Sequence, residues 1–398
     1  MTQRRVVAGL TAGLILVAAA CGSDSSSGGA AKFKVPDLPK LAKLGTGEGA
    51  LNIIAWAGYA EDGSTDPAYD WVTPFETKSG CQVTVTNGAT SDEMVSLLEG
   101  GGFDGVSASG DASLRMIASG LVAPVNTDLV PAYADVFPFL TDQTYNSVNG
   151  QMYGIPHGWG ANVLQYNTDI VSPAPDSWGV VFDPKSPYAG KVTAYDSPIY
   201  IADAALYLKA TQPDLKITNP YALDQTQFDA AVALLKAQKP IIGEYWSDYL
   251  KYEEAATAGS IVLGTSWQII TNTLTGGDPA VPVASVLPKE GSTGWFDTWM
   301  VAAKAEHPNC MYMWMDWIAG AEAQSQVTTY FGEAPANSKA CALNVDMKAH
   351  CEAYHAADTA YAAKISGWTT PTTTCLDGRG DKCIPYAEWV KAWDAIKG

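Results

Sequence analysis

Short apolar runs separated by helix-period segments and glycine stops decide the fold class of this chain. LNIIAWAG (51–58) reads as an apolar, β-branched strand, and Trp71 and Phe75, four apart, mark a short helix ending at Gly80. CQVTV (81–85) alternates as a second strand. Thr90 with Glu93 has capping-box spacing, and Met94, Leu97 and Leu98 supply the apolar face of a helix that Gly100, Gly101 and Gly102 stop. FDGVSAS (103–109) is a third strand, followed by a helix carrying Leu114 and Ile117 and closed by Gly120. Such alternation builds an α/β layer on a mostly parallel sheet. Ligands of these sheets bind at the carboxyl ends of the strands, which singles out Trp56 and Tyr59 after the first strand and Ser109 to Asp111 after the third.

A second passage of the same kind starts after Tyr166. KVTAYDS (191–197) is a strand followed by a helix through Ala204, Leu206 and Leu208. Phe228, Val232 and Leu235 mark another helix, and SIVLGTSW (260–267) another strand. Residues 281–291 and 295–303 are strand candidates, and 311–322 a helix. With 398 residues, at roughly 100–200 per domain, two or three folding units are expected.

The N-terminus has the pattern of an export signal: Arg4 and Arg5, an apolar stretch from Val6 to Ala20, then Cys21. The stretch is too short for a span of about 20 residues. VAAAC (17–21) resembles a bacterial lipobox, in which the cysteine is diacylated and becomes the new N-terminus after cleavage, although Ala18 stands where Leu is commoner. Residues 21–49, rich in Ser, Gly, Ala, Lys and Pro, are expected to form a flexible tether. The reading is an exported protein anchored through Cys21 at the outer face of the membrane or in the periplasm, working at the membrane surface without entering it. The formal charge is −18, or −20 once Arg4 and Arg5 leave with residues 1–20. A phosphate-binding footprint is missing, so nucleic acid is not a partner.

Six cysteines remain after Cys21, an even number that in an exported chain reads as disulfides with fifteen possible connectivities. Proximity pairs Cys375 with Cys383 and Cys341 with Cys351, leaving Cys81 with Cys310. No zinc site is indicated: paired CxxC spacings are missing, and His350 and His355 do not form HExxH. Phosphate-loop, dinucleotide and nucleophile-elbow motifs have no credible strand-to-helix setting, so neither cofactor nor catalytic residue is assigned. His157 reads as a packing residue, Glu253 and Glu254 as a solvated helix face, and the Arg379-Gly380-Asp381 tripeptide as a chance sequence in a polar loop.

Thirteen Trp and 19 Tyr against nine Phe leave a surplus of amphipathic aromatics, suited to cation–π boxes or stacking platforms. The ordered series IIAWAGY, FDGVSASG, YGIPHGWG, Tyr166-Asn167, PYAGKV, GSIVLGTSW, LPKEGSTGWFDTWMV and FGEAPAN then resembles the extracellular solute-binding proteins of ABC importers, within them the spermidine/putrescine-binding branch. The resemblance runs from about residue 50 to 340. It implies an α/β, two-lobe periplasmic-binding-protein fold (type II-like) with a hinge and an interlobe ligand cleft. Lobe one would comprise 50–162 and 297–330, lobe two 163–296 and 331–398. It also implies a small cationic ligand, a partner permease and a monomer that performs no covalent chemistry.

Carried over residue by residue, Trp56 and Tyr59 match the aromatic pair after the first strand, Trp267 the LG-x-x-W aromatic, and Trp295 with Asp297 the W-x-D pair. An ammonium prefers an aromatic face within about 6 Å and a carboxylate to balance its charge. Trp295 and Asp297, two apart on a strand, share a face. Asp196 in YDSPIY remains of the second-lobe acids, Ser197 and Tyr200 standing where others are usual. Asp111 replaces an aromatic, and Glu333 is a further acid that fits helix capping or exposure equally well. These departures leave 4-aminobutyrate, another small amine or amino acid, or a sugar as alternatives to a polyamine.

Overall fold

The computed structural model describes residues 34–398; the stretch read as an export signal and Cys21 lie outside them. The first strand–helix passage forms as read. Strands β1 (Ala50–Ala55), β2 (Gln82–Asn87) and β3 (Gly105–Ser109) lie parallel in the order β2-β1-β3, connected by helices α1 (Val72–Ser79) and α2 (Ser91–Gly100) and followed by α3 (Gly110–Ser119). Side chains alternate across this layer, so both faces are covered. Ile54, Val106 and Ala108 pack with Met94, Leu98, Leu114 and Ile117 on one side, and Leu51, Ile53 and Ala55 with Trp71, Phe75 and Trp314 on the other. Gly120 closes α3 at φ +70°, a left-handed conformation that side chains disfavour. At α2, Thr90 Oγ1 accepts from Glu93 N as its spacing predicts, but the Glu93 carboxylate reaches one residue further back, to Ala89 N.

The second half holds a matching parallel set, β7 (Val192–Tyr195), β8 (Ile242–Trp246) and β9 (Leu263–Trp267). Its core joins Leu164, Val192, Ala194 and Leu263 to Trp389 and Trp393 of the C-terminal helix, Tyr386–Lys397. Between the halves run two long strands, and here the expected mostly parallel sheet is corrected. A short hairpin, β4 (Ser147–Val148) and β5 (Gln151–Met152), leads into β6 (Gly154–Asn167), which is antiparallel to both β9 and β11 (Ser292–Val301). β11 is in turn antiparallel to β3. The whole sheet runs β2-β1-β3-β11-β6-β9-β7-β8, with β10 (Val283–Val286) and β12 (Ala334–Pro335) added on β6 and β13 (Ile365–Gly367) on β11. This is a two-lobe α/β fold whose lobes share one sheet through β6 and β11.

Two other expectations change. The helix read at 311–322 is two helices, Pro308–Ile318 and Ala321–Phe331, because Gly320 takes an extended conformation and caps the second. The tether expected through Gly49 is already against the body over residues 34–49. There Leu41 and Leu44 pack on the first lobe's core, Asn126 donates to the Leu41 carbonyl, and Glu48 accepts from the backbone of Asn309 and Cys310.

The cysteines pair as proximity suggests: Cys81–Cys310, Cys341–Cys351 and Cys375–Cys383. The first spans 229 residues and ties the start of β2 to the helix Pro308–Ile318; the last spans eight. By loop entropy, replacing Cys81 and Cys310 with Ser should cost roughly 5–6 kcal/mol, against roughly 2–3 kcal/mol for Cys375 and Cys383. Urea unfolding of the two double variants measures the difference, and a reversed order would reject the entropic account.

Candidate functional site

The site forms where β6 and β11 lose register. Asp297 pairs with Gly158 and Thr298 with Pro156, so His157 is the extra residue of a β-bulge. The bulge lies beside Asp297, and its neighbours are the glycines of the HGWG sequence. A side chain at Gly158 would meet the Glu333 carboxyl at 2.2 Å, and one at Gly160 would meet the Trp295 indole at 2.7 Å. These glycines leave room for an acid and a ring on one face, while Trp159 stacks on Phe296 on the other. β12 pairs with Trp159 and Gly158, which brings the preceding Glu333 over the strand.

On that face Tyr59, Asp297 and Glu333 converge. The Tyr59 hydroxyl lies 2.8 Å from Asp297 Oδ2 and 2.9 Å from Glu333 Oε2, and Ser109 Oγ donates to Asp297 Oδ1. Asp297 is 4% exposed, and Tyr59 and Glu333 are fully buried. Burial pushes the Asp297 carboxyl up to about 7, against the hydrogen bonds from Ser109 and Tyr59, and the charge of Asp111 adds to the rise. Burial, and then the charge of Asp297, hold Glu333 well above the usual carboxylate range. Burial takes His157 down to about 3, so it is neutral. Its Nδ1 accepts from Trp299 Nε1 at 3.1 Å, leaving the proton on Nε2.

Aromatic rings surround the acids. Tyr59 packs on Phe331 at 4.5 Å between centroids, Phe331 on Trp295 at 6.2 Å, and Trp295 on Trp267 at 6.5 Å. Trp56 is a further neighbour, its indole among the groups that favour the ionised form of Asp297. Trp267 donates to Asn162 Oδ1. Asp111 is buried at the start of α3, accepts from Ser91 Oγ and is raised by burial against the pull of Arg115.

Of the residues singled out from sequence, Trp56, Tyr59, Trp267, Trp295 and Asp297 thus form one constellation, with Asp111 at its edge. Asp196 is held elsewhere: Lys397 Nζ lies 2.6 Å from its Oδ1, and Trp393 Nε1 donates to the same oxygen. Glu333 is neither a cap nor exposed. Tyr195 and Trp368, which stack at 5.5 Å, were not expected here. Tyr195 feels the charges of Asp111, Asp196 and Asp297 after its own burial, and the Trp368 carbonyl sits over Gly110, where a Cβ would meet it at 1.9 Å. Tyr195 ends strand β7 directly before Asp196, a position that could have marked it; no pattern marks Trp368.

This arrangement of acids and aromatic walls suits capture of a solute. Comparison with known proteins agrees. Residues 70–356 match the bacterial extracellular solute-binding protein family. The putrescine/cadaverine-binding protein of Pseudomonas aeruginosa is 24% identical over 77% of this chain and 84% of its own, and the putrescine-binding periplasmic protein PotF of Escherichia coli 23% over 76% and 82%. The crystal structure of the spermidine/putrescine substrate-binding protein PotD of Streptococcus pneumoniae superposes with a TM-score of 0.68 at 18% identity, covering 88% of this chain and 99% of that one. The fold, the site and the match over most of the length place this chain in the family of bacterial extracellular solute-binding proteins.

Proposed function

We propose that the protein is the substrate-binding component of an ABC importer that captures a putrescine- or spermidine-like polyamine between its lobes and delivers it to a membrane permease. One observation carries the reading: Asp297 is a carboxylate removed from water among tryptophans, and among the described residues no cationic side chain is one of its hydrogen-bond partners. An ammonium supplies the missing charge, and aromatic faces suit the attached methylenes. The names of the relatives support the same ligand class. The lobe limits expected at 162/163 and 296/297 are supported by pairing, since β6 takes β9 as partner from Asn162 and β11 takes β3 from Asp297. Ligand binding then shifts an open–closed equilibrium of these lobes.

A second reading is a single-amine ligand such as 4-aminobutyrate. It is favoured by Asp196, whose carboxylate is engaged by Lys397 and leaves a far ammonium without that second-lobe acid.

A thermal-shift panel of putrescine, spermidine, 4-aminobutyrate, amino acids and sugars, followed by calorimetry, separates these readings. Asp297→Asn should weaken amine binding by roughly 2–5 kcal/mol, about 30-fold or more, without lowering the melting temperature of the ligand-free protein. Stabilisation by no amine, or unchanged affinity in the variant, rejects the assignment.

The sign of the pH dependence follows from Asp297. Its folded carboxyl titrates at about 7 against an ordinary 3.8, so between these values the folded state binds the extra proton. Ligand-free stability should therefore fall as pH rises from about 4 to about 7, with buried Asp203, also raised to about 7 by burial, contributing in the same direction. Amine affinity should move oppositely, weakening by up to about tenfold per unit of pH below 7, because the bound ammonium needs the carboxylate. Calorimetry across the range in buffers of different ionisation heat measures both affinity and proton release; pH-independent affinity would contradict the role of Asp297.

We also propose that Cys21 is lipidated and anchors the body at the membrane; among the described residues no helix is long and apolar enough to cross one. Cys21→Ser should abolish fatty-acid labelling and move the protein to the soluble fraction. Retention of label by the variant rules the anchor out.

A further inference from the structure

Hydrogen-bond counting around Tyr59 fixes where a proton must reside. Its hydroxyl lies within bonding distance of two carboxyl oxygens, Asp297 Oδ2 at 2.8 Å and Glu333 Oε2 at 2.9 Å. A phenol has one hydrogen and donates to one of them. The other contact is a hydrogen bond only if that carboxyl carries a proton and donates to the phenol oxygen. Otherwise a bare carboxylate faces a lone pair in a dry site.

The surroundings decide which carboxyl holds the proton. Asp297 has a second donor, Ser109 Oγ, on its other oxygen. Glu333 has none comparable. Among the described residues its Oε1 is buried without a hydrogen-bond partner, and the Nε2–H of neutral His157 lies 3.5 Å away. The Glu333 carboxyl also presses on Gly158 so closely that a methyl group there would not fit, which leaves no room on that side for water or a cation. An ionised oxygen in this position would be uncompensated, whereas the carbonyl oxygen of an acid tolerates it far better. The other groups facing the pair do not change the balance: Asp111 adds negative charge, and His350 bonds the Glu333 backbone carbonyl.

We infer that Glu333 is a permanently neutral carboxylic acid that donates its proton to the Tyr59 oxygen, so that Tyr59 aims its own hydrogen at Asp297 and this end of the site carries a single carboxylate charge. Glu333 is thus a positioning residue acting through Tyr59. It makes the end of the cleft at Asp297 a receptor for one primary ammonium, and two carboxyls do not imply two bound charges. The ligand consequence rests on the proposed amine-binding role of Asp297; the protonation state does not.

Infrared difference spectroscopy of the full mature chain against Glu333→Gln at about pH 8 tests this, since Asp297 is mostly ionised there. A carboxylic-acid carbonyl band should be present in the wild type and lost in the variant. Its absence from the wild type overturns the inference. If the variant fails to fold, carbon-13 NMR of glutamate side-chain carboxyls in the wild type gives the same answer: one resonance at the protonated position that does not titrate between about pH 5 and about pH 9 supports the inference, and its titration rejects it. In folded Glu333→Gln the amide replaces the donor, so amine affinity should stay within about threefold of wild type, whereas a loss of about tenfold or more shows that a charge was removed. If no amine binds the wild type, the ligand reading fails while the acid band still decides the state of Glu333.

Discussion

A carboxylate kept from water is the constraint around which this molecule is arranged. Asp297 sits in the middle of a buried sheet, where an uncompensated charge costs several kcal/mol. Among the described residues it receives hydroxyls from Ser109 and Tyr59 but no basic side chain in hydrogen-bonding contact. On the proposed amine-binding role of Asp297, that restraint is what a receptor for a cation requires. A resident arginine or lysine would satisfy Asp297 and also cancel its attraction for a ligand. Hydroxyl donors satisfy its geometry while leaving its charge unbalanced.

Such a carboxylate can be placed accurately only on a rigid element. The antiparallel pair β6 and β11 provides one, flanked by parallel strands on both sides, and the bulge at His157 marks the local break in its register. Gly158 and Gly160 are necessary to the same design, because the Glu333 carboxyl and Trp295 indole occupy the space their side chains would take. Within the β6–β11 pair the break in regular pairing falls beside Asp297.

The flanks of this architecture were readable because they obey periodic rules. The strands beginning at Leu51 and Phe103 and the helices capped by Thr90 and ended by Gly120 follow from apolar spacing and stop signals, and the disulfides from proximity along the chain. β6 was not read as a strand, because Pro156, Gly158 and Gly160 in GIPHGWG interrupt the alternation, and the reason they are there lies on other elements. Site residues divide in the same way. Trp295 and Asp297 sit two apart on one strand and were legible together, whereas Glu333 depends on the pairing of β12, and Trp368 on the path of the C-terminal segment across α3. Asp196 shows the converse: a well-placed acid in the sequence is taken by Lys397, 201 residues away, which local reading does not reveal.

The aromatic wall of the second lobe is secured to the same central strands. Trp267 Nε1 donates to Asn162 Oδ1 at 3.0 Å, Asn162 Nδ2 to Thr293 Oγ1 at 2.6 Å, and Thr293 Oγ1 to Asp203 Oδ1 at 2.8 Å. All three bonds point one way, each donor polarised by the next acceptor, and the series ends on a buried carboxyl. Asn162 lies on β6 and Thr293 on β11, so the indole belongs mechanically to the platform that carries Asp297. A lobe movement about these strands therefore need not separate Trp267 from the carboxylate. On the binding role proposed for Asp297, such a movement would change the approach of the groups on the flanking layers, Asp111 on α3 from one side and Tyr195 on β7 from the other, towards the centre.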